Sequence, residues 1–156
     1  MYEDLKSHLE DKKFNLQGDW VNKKDQYEIH LCRALVMKED KNRYWDARWS
    51  NYFLEFKKGR SVWLDLVRYS EMLLKIYPTA HNNVLNLFFV PNINRSLISE
   101  ILCVETNELI RKLKLTEVFA EQLLALNKNL PRSLNAQASL TINDLKRISV
   151  FIINCS

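Results

Sequence analysis

The spacing of apolar residues changes several times along this chain, and each change marks an element. Residues 2–13 read as a short polar helix, and Asn15 to Asn22, which contains Gly18, reads as a loop. Tyr27, Leu31, Ala34 and Leu35 share one face at a 3.6-residue period, which predicts a helix over 24–39. A charged connection follows at 40–43. The Trp, Tyr and Phe residues of 43–49 and 52–58 predict two strands joined by a Ser50-Asn51 turn. Gly59 closes the second strand, Ser61 is the candidate N-cap of a helix over 62–77, and Pro78 stops it. The polar stripe of that helix is Asp65, Arg68, Glu71 and Lys75, with Glu71–Lys75 as a supporting i,i+4 pair, Trp63 packing and Asp65 pairing. Val84 to Val90 reads as a buried strand ended by Pro91, and 97–104 as another strand. From Thr106 onward the spacing turns helical, at 107–114, 117–128 and 142–148. Thr116 and Thr141 are the caps, and Asp144 completes a capping box. Ile148 to Ile153 suits either a last strand or the end of a helix. The order predicts an α/β (α+β) domain on one central mixed sheet flanked by helices.

Composition narrows this picture modestly. A length of 156 residues suits one domain, and 47% hydrophobic residues suffice for a core. Two glycines and three prolines argue against a flexible linker. The net charge of +4 and pI of 8.9 are compatible with a polyanionic partner. Cys32, Cys103 and Cys155 are far apart and odd in number. They read as reduced thiols in an intracellular protein of the cytoplasm or nucleus, not as a disulfide frame or zinc site. His8, His30 and His81 share no ligand spacing, and His30 reads as structural or exposed. The start of the chain has no apolar leader, and no apolar run approaches the roughly 18 residues of a membrane span, so no membrane partner is expected.

The hairpin carries the chemistry. In the register set by its turn, Trp49 faces Tyr52, Ala47 faces Leu54 and Asp46 faces Glu55. Two carboxylates opposed on one sheet face repel, and a cation between them removes the conflict. Lys57 stands two residues beyond Glu55 and shares its face. An acid pair with a neighbouring lysine is the minimal equipment for metal-assisted phosphodiester cleavage. Glu28 lies on the apolar stripe of the preceding helix and is an additional candidate ligand; at the rim of that stripe it instead reaches solvent. Lys23, Lys24, Lys58 and Arg60 are candidate phosphate contacts, or simply solvated charges. Arg48 shares the face of Asp46, where it either holds a phosphate or neutralises the acids with no metal.

Helix, strand with Asp, strand with Glu-x-Lys, helix, strand: this order resembles the core of the PD-(D/E)xK nuclease superfamily, which includes type II restriction endonucleases, Holliday-junction resolvases and phage-type exonucleases. The resemblance covers about residues 24–104. It rests on Asp46, Glu55 and Lys57 standing in that order with eight residues between Asp46 and Glu55. The chain departs from the pattern at Trp45, where many members carry proline.

The resemblance implies a restriction-endonuclease-like core over 24–104; the helical spacing of 105–156, which the resemblance does not cover, makes that part a helical extension, and the length suits one domain 1–156. It implies a Mg²⁺-dependent endonuclease, with Mn²⁺ substituting, that hydrolyses phosphodiester bonds in DNA by a metal-activated water and works as a homodimer. Asp46, Glu55 and the Phe56 carbonyl would ligate the metal, Glu28 would join them, and Lys57 would orient the attacking water. Other readings are a catalytically inactive domain of the same architecture that binds nucleic acid or protein, and an interaction module in which 105–156 carries the function.

Overall fold

All eight residues of Val84–Pro91 are buried. A strand covered on both faces belongs at the centre of a sheet and reads as a nearly continuous apolar run. The structure is a computed structural model that describes residues 1–76, 83–131 and 135–156. In chain order it has α1 (Glu3–Lys12), two 3₁₀ turns (Lys13–Asn15 and Asp19–Asn22), α2 (Tyr27–Leu35), β1 (Lys38–Glu39), β2 (Ala47–Trp49) and β3 (Tyr52–Lys58). Then come β4 (Ser61–Asp65), α3 (Leu66–Glu71, continuing as a π-helical turn at Met72–Ile76), β5 (Val84–Pro91) and β6 (Ile98–Glu105). The chain ends with α4 (Thr106–Lys112), α5 (Glu117–Lys128), β7 (Gln137–Thr141), α6 (Ile142–Ile148) and β8 (Phe151–Asn154).

Among the described residues the strands form a six-stranded mixed sheet, β1-β2-β3-β5-β6-β8, and a two-stranded ribbon, β4-β7. Every pairing in the large sheet is antiparallel except β3 with β5, which is parallel. A parallel pair needs a crossover, and β4 with α3 lies within it. Strand alternation divides the core in two. Leu54, Phe56, Leu87, Phe89 and Ile101 face α1 and α2, where Leu5, Leu9, Leu31 and Leu35 cover them. Phe88, Val90, Leu102 and Val104 face the other way, toward Tyr69, Met72, Leu109 and Leu145.

Several boundaries differ from those predicted, each for a local reason. The helix predicted over 24–39 spans only Tyr27–Leu35. Val36 takes a left-handed conformation (φ 53°), and the Met37 amide reaches back to the Cys32 carbonyl at 2.9 Å, which reverses the chain into β1. The first hairpin strand begins at Ala47, not at 43. Ser61 caps no helix, because Ser61–Asp65 is a strand whose Val62 and Leu64 point in and whose Trp63 points out at 59% exposure. Its alternation at period two, with Val and Trp present, is strand chemistry. Asp65 makes no ion pair among the described residues; its side chain accepts the Val67 and Arg68 amides and caps α3. Glu71 is claimed by Arg43 and Tyr44. The predicted helix end at Tyr77 and its Pro78 stop lie outside the described residues.

The C-terminal part is not wholly helical. The expected helices appear as α4, α5 and α6, with the Thr141–Asp144 capping box in place. β7, however, pairs with β4, and β8 joins the large sheet beside β6. The open choice at 148–153 therefore divides: Ile148 ends α6, and Phe151–Asn154 forms a strand. Among the described residues no helix is long and apolar enough to cross a membrane.

Candidate functional site

The hairpin has the register its turn implies: Ala47–Leu54, Arg48–Phe53 and Trp49–Tyr52. Pairing then stops one step short of Asp46 and Glu55. The Asp46 amide donates to the Leu54 carbonyl at 2.9 Å, although Ala47 is the register partner of Leu54. Two residues thus oppose one, an irregularity of the bulge kind that breaks alternation and re-aims a side chain. Asp46 therefore does not sit squarely across from Glu55. Its Oδ2 turns along β3 and accepts the Phe56 amide at 2.8 Å.

The two carboxyls still meet. Both residues are buried, Asp46 at 8% and Glu55 at 5% exposure. Burial pushes the Glu55 carboxyl up from its ordinary 4.5 to about 8. The Arg68 guanidinium opposes that rise, whereas the charge of Asp46 and a hydrogen bond between the two carboxyls add to it; Lys57 opposes it more weakly. Lys57 is half-buried and makes no hydrogen bond or ion pair among the described residues.

Arg68 joins the two acids, and no local spacing predicts it here. It comes from the first turns of α3, and its Nη1 donates to Glu55 Oε2. Its Nε and Nη2 are also buried and have no acceptor among the described residues. The guanidinium lies over the Tyr69 ring, 4.9 Å from the centroid. The only signal in the sequence was its place on the stripe Asp65, Arg68, Glu71, which reads as solvated but turns inward. Arg48, expected to share the acids' face, is exposed and pairs with Asp40 at 3.3 Å.

α3 also steadies the segment that leads into Asp46. Glu71 takes Arg43 Nε and Nη2, each at 2.6 Å, and the Tyr44 hydroxyl at 2.9 Å. Asn42 Oδ1 accepts the Tyr44 amide, and Trp45 Nε1 donates to Asp40. One helix thus touches both acids: Glu55 directly and Asp46 through its loop.

On the α2 side of the sheet, Asp46 borders a cavity of ≈ 170 Å³ that it shares with Gln26, Glu28, Ile29, Cys32, Glu39 and Lys41. Glu28 therefore lies on the same space as Asp46, as its place on the α2 stripe suggests. Burial pushes the Cys32 thiol up to about 12, and the charges of Glu39, Asp46 and Glu28 add to the effect. Among the described residues no group of three or more His, Cys, Asp and Glu side chains is arranged to hold a metal.

The donor set nevertheless suits a hard divalent cation, which takes oxygen ligands. Asp46 has one oxygen outside its bond to the Phe56 amide, and Glu55 has one outside its bond to Arg68. A strand residue sends its N–H and C=O to the same side. The Phe56 amide points to Asp46, so its carbonyl leaves β3 toward the same gap.

The basic residues divide. Lys58 Nζ donates to the Val21 carbonyl at 2.6 Å and sits 5.2 Å from the Tyr27 ring centroid. Arg60 donates to the Pro91 carbonyl at 2.9 Å. Lys23 and Lys24 are exposed, with no ion pair among the described residues. His30 stacks on Trp20. Comparison of the chain with family models, curated proteins and solved structures finds no match.

Proposed function

We propose that this protein is a Mg²⁺-dependent endonuclease that hydrolyses phosphodiester bonds in DNA, built on a restriction-endonuclease-like core. One observation carries the reading: two buried carboxyls, Asp46 and Glu55, converge where β2 stops, beside a main-chain carbonyl and a cavity that Glu28 also lines. The element order supports it, with α2, the Asp46 segment, the Glu55–Lys57 strand, α3 and then a strand parallel to β3.

Asp46, Glu55 and the Phe56 carbonyl would hold the cation, with Glu28 across the cavity. Bound there, it supplies a water of lowered pKa and neutralises charge on phosphorus. Lys57, which makes no ion pair among the described residues, orients that water or a phosphoryl oxygen as a fixed cation. Glu71 and Arg43 hold the Asp46 segment in place. Cutting both strands calls for two such sites, hence a homodimer.

The test is cleavage of labelled DNA and RNA in Mg²⁺ or Mn²⁺, its absence in EDTA, and its loss in Asp46→Ala and Lys57→Ala with circular dichroism unchanged. Intact cleavage by either variant refutes the assignment. The Arg68–Glu55 ion pair favours a second reading, a non-catalytic domain of this architecture in which the guanidinium replaces the metal. Calorimetric titration with Mn²⁺ separates them. Uptake by the wild type and none by Glu55→Gln supports the enzyme; no uptake by either supports the binding domain.

A further inference from the structure

On the side where Lys58 meets Tyr27, the chain forms a second concavity. A cleft of ≈ 500 Å³ is lined by Gly18, Asp19, Asn22 and Lys23 on one wall and by Asn94, Arg95 and Ser96 on the other. Lys23 and Arg95 are exposed and form no ion pair among the described residues. Asp19 is the one acid on the lining.

The walls are fixed to each other. The Gly18 amide donates to the Ser96 carbonyl at 3.0 Å, and Gln17 bridges to Leu97. Within the turn, Asn92 Oδ1 accepts the Ser96 and Leu97 amides, and the Arg95 amide returns to the Asn92 carbonyl. Arg95 is held in the left-handed region at φ 55°. A cleft built this way orders little further when a ligand enters, which favours affinity.

The cleft also connects to the acid pair. Lys58 donates to the Val21 carbonyl and sits over the ring of Tyr27, the neighbour of Glu28, so it lies between the Asp19–Lys23 wall of the cleft and the start of α2. Positive charge runs from the cleft to the edge of the acids, as a polyanion needs if one phosphate is to reach a cation held among carboxylates.

We infer that the Lys23–Arg95 cleft holds a backbone phosphate of the nucleic-acid strand, at a nucleotide removed from the bond to be cut. The inference rests on the proposed function for its choice of polyanion, and it adds Arg95 and the direction in which the strand leaves the site.

The experiment is binding of a fluorescein-labelled DNA duplex across a salt titration, in Ca²⁺ so that no cleavage intervenes. The variant is Lys23→Gln/Arg95→Asn, because asparagine tolerates the left-handed backbone. The slope of log affinity against log salt falls by about one for each phosphate contact removed. Arg95→Lys restores the Arg95 share. Lys128→Ala, on the helix α5 across the sheet, leaves the slope alone.

An unchanged slope in the double variant, an equal loss in Lys128→Ala, or no duplex binding by the wild type overturns the inference. So does calorimetric binding of inorganic phosphate with no binding of the duplex. A changed slope in a protein that cuts nothing would remove the nuclease reading and leave the phosphate cleft standing.

Discussion

Glu55 on β3 and Arg68 on α3 form an ion pair between sheet and helix, and both side chains are largely withdrawn from water. Burial still outweighs the guanidinium, because the Glu55 carboxyl is raised rather than lowered. Asp46 adds to the rise that burial begins, because it brings a second carboxyl to the same place, and one arginine does not neutralise two acids.

Removing Arg68 leaves the acids without their direct cation. Breaking a buried pair from one side costs about 3 kcal/mol, whereas replacing both partners with apolar groups costs little. Arg68→Met should therefore lower stability by about that amount in urea unfolding, and Glu55→Met/Arg68→Met should recover most of it. Additive losses in the two single variants would show that the pair contributes nothing.

The raised Glu55 carboxyl makes a signed prediction about pH. It holds its proton more tightly in the folded than in the unfolded chain. Its contribution to stability is therefore full below its ordinary 4.5 and is lost as pH rises through about 8. Glu71 and Asp144, whose carboxyls are lowered mainly by hydrogen bonds to Arg43 and to Thr141, contribute in the opposite sense at the acid end. The difference between wild type and Glu55→Gln isolates Glu55. Across that window the wild type should lose stability relative to the variant, and parallel stability curves would contradict this.

Asp46 has a structural task, accepting the Phe56 amide, and a proposed chemical one. Two substitutions separate them. Asp46→Asn keeps a carbonyl oxygen for the amide and should remain near wild-type stability. Asp46→Ala strands a buried N–H and should cost about 1–3 kcal/mol. Both should abolish Mn²⁺ uptake. Retained uptake in Asp46→Asn would leave the metal site without its first ligand.

All three thiols are buried. Burial raises Cys32 to about 12 and Cys155 to about 11, and it also raises Cys103. Thiolate is the reactive form. Native protein at mildly alkaline pH should therefore be inert to Ellman's reagent, and the unfolded chain should react at every cysteine. Prompt labelling of the folded protein would mean that the cavity beside Cys32 opens.

The sequence made legible what depends on short-range periodicity. The hairpin register, the buried run at 84–90, the α5 limits and the Thr141–Asp144 capping box all appear where the spacing puts them, with β5 one residue longer, through Pro91. Three features depend on tertiary context instead. The start of β2 depends on the bulge at Asp46, which no local pattern encodes. Ser61–Asp65 carries apolar residues that suit a helix as well as a strand, and pairing with the distant β7 decides between them. Arg68 reads as solvated until α3 is laid against β3. Convergence of Asp46 with Glu55 was thus anticipated from pairing that the chain does not make, and it arises from the bulge instead.

The short β2 has a consequence for the middle of the sheet. Among the described residues only Tyr52 to Leu54 have strand partners on that flank of β3, while Phe53 to Lys58 are matched along β5 on the other. The sheet therefore carries a notch in its interior, with rigid main chain on one bank. A guest in the notch is read by polypeptide backbone as much as by side chains, and no single point mutation can erase that bank.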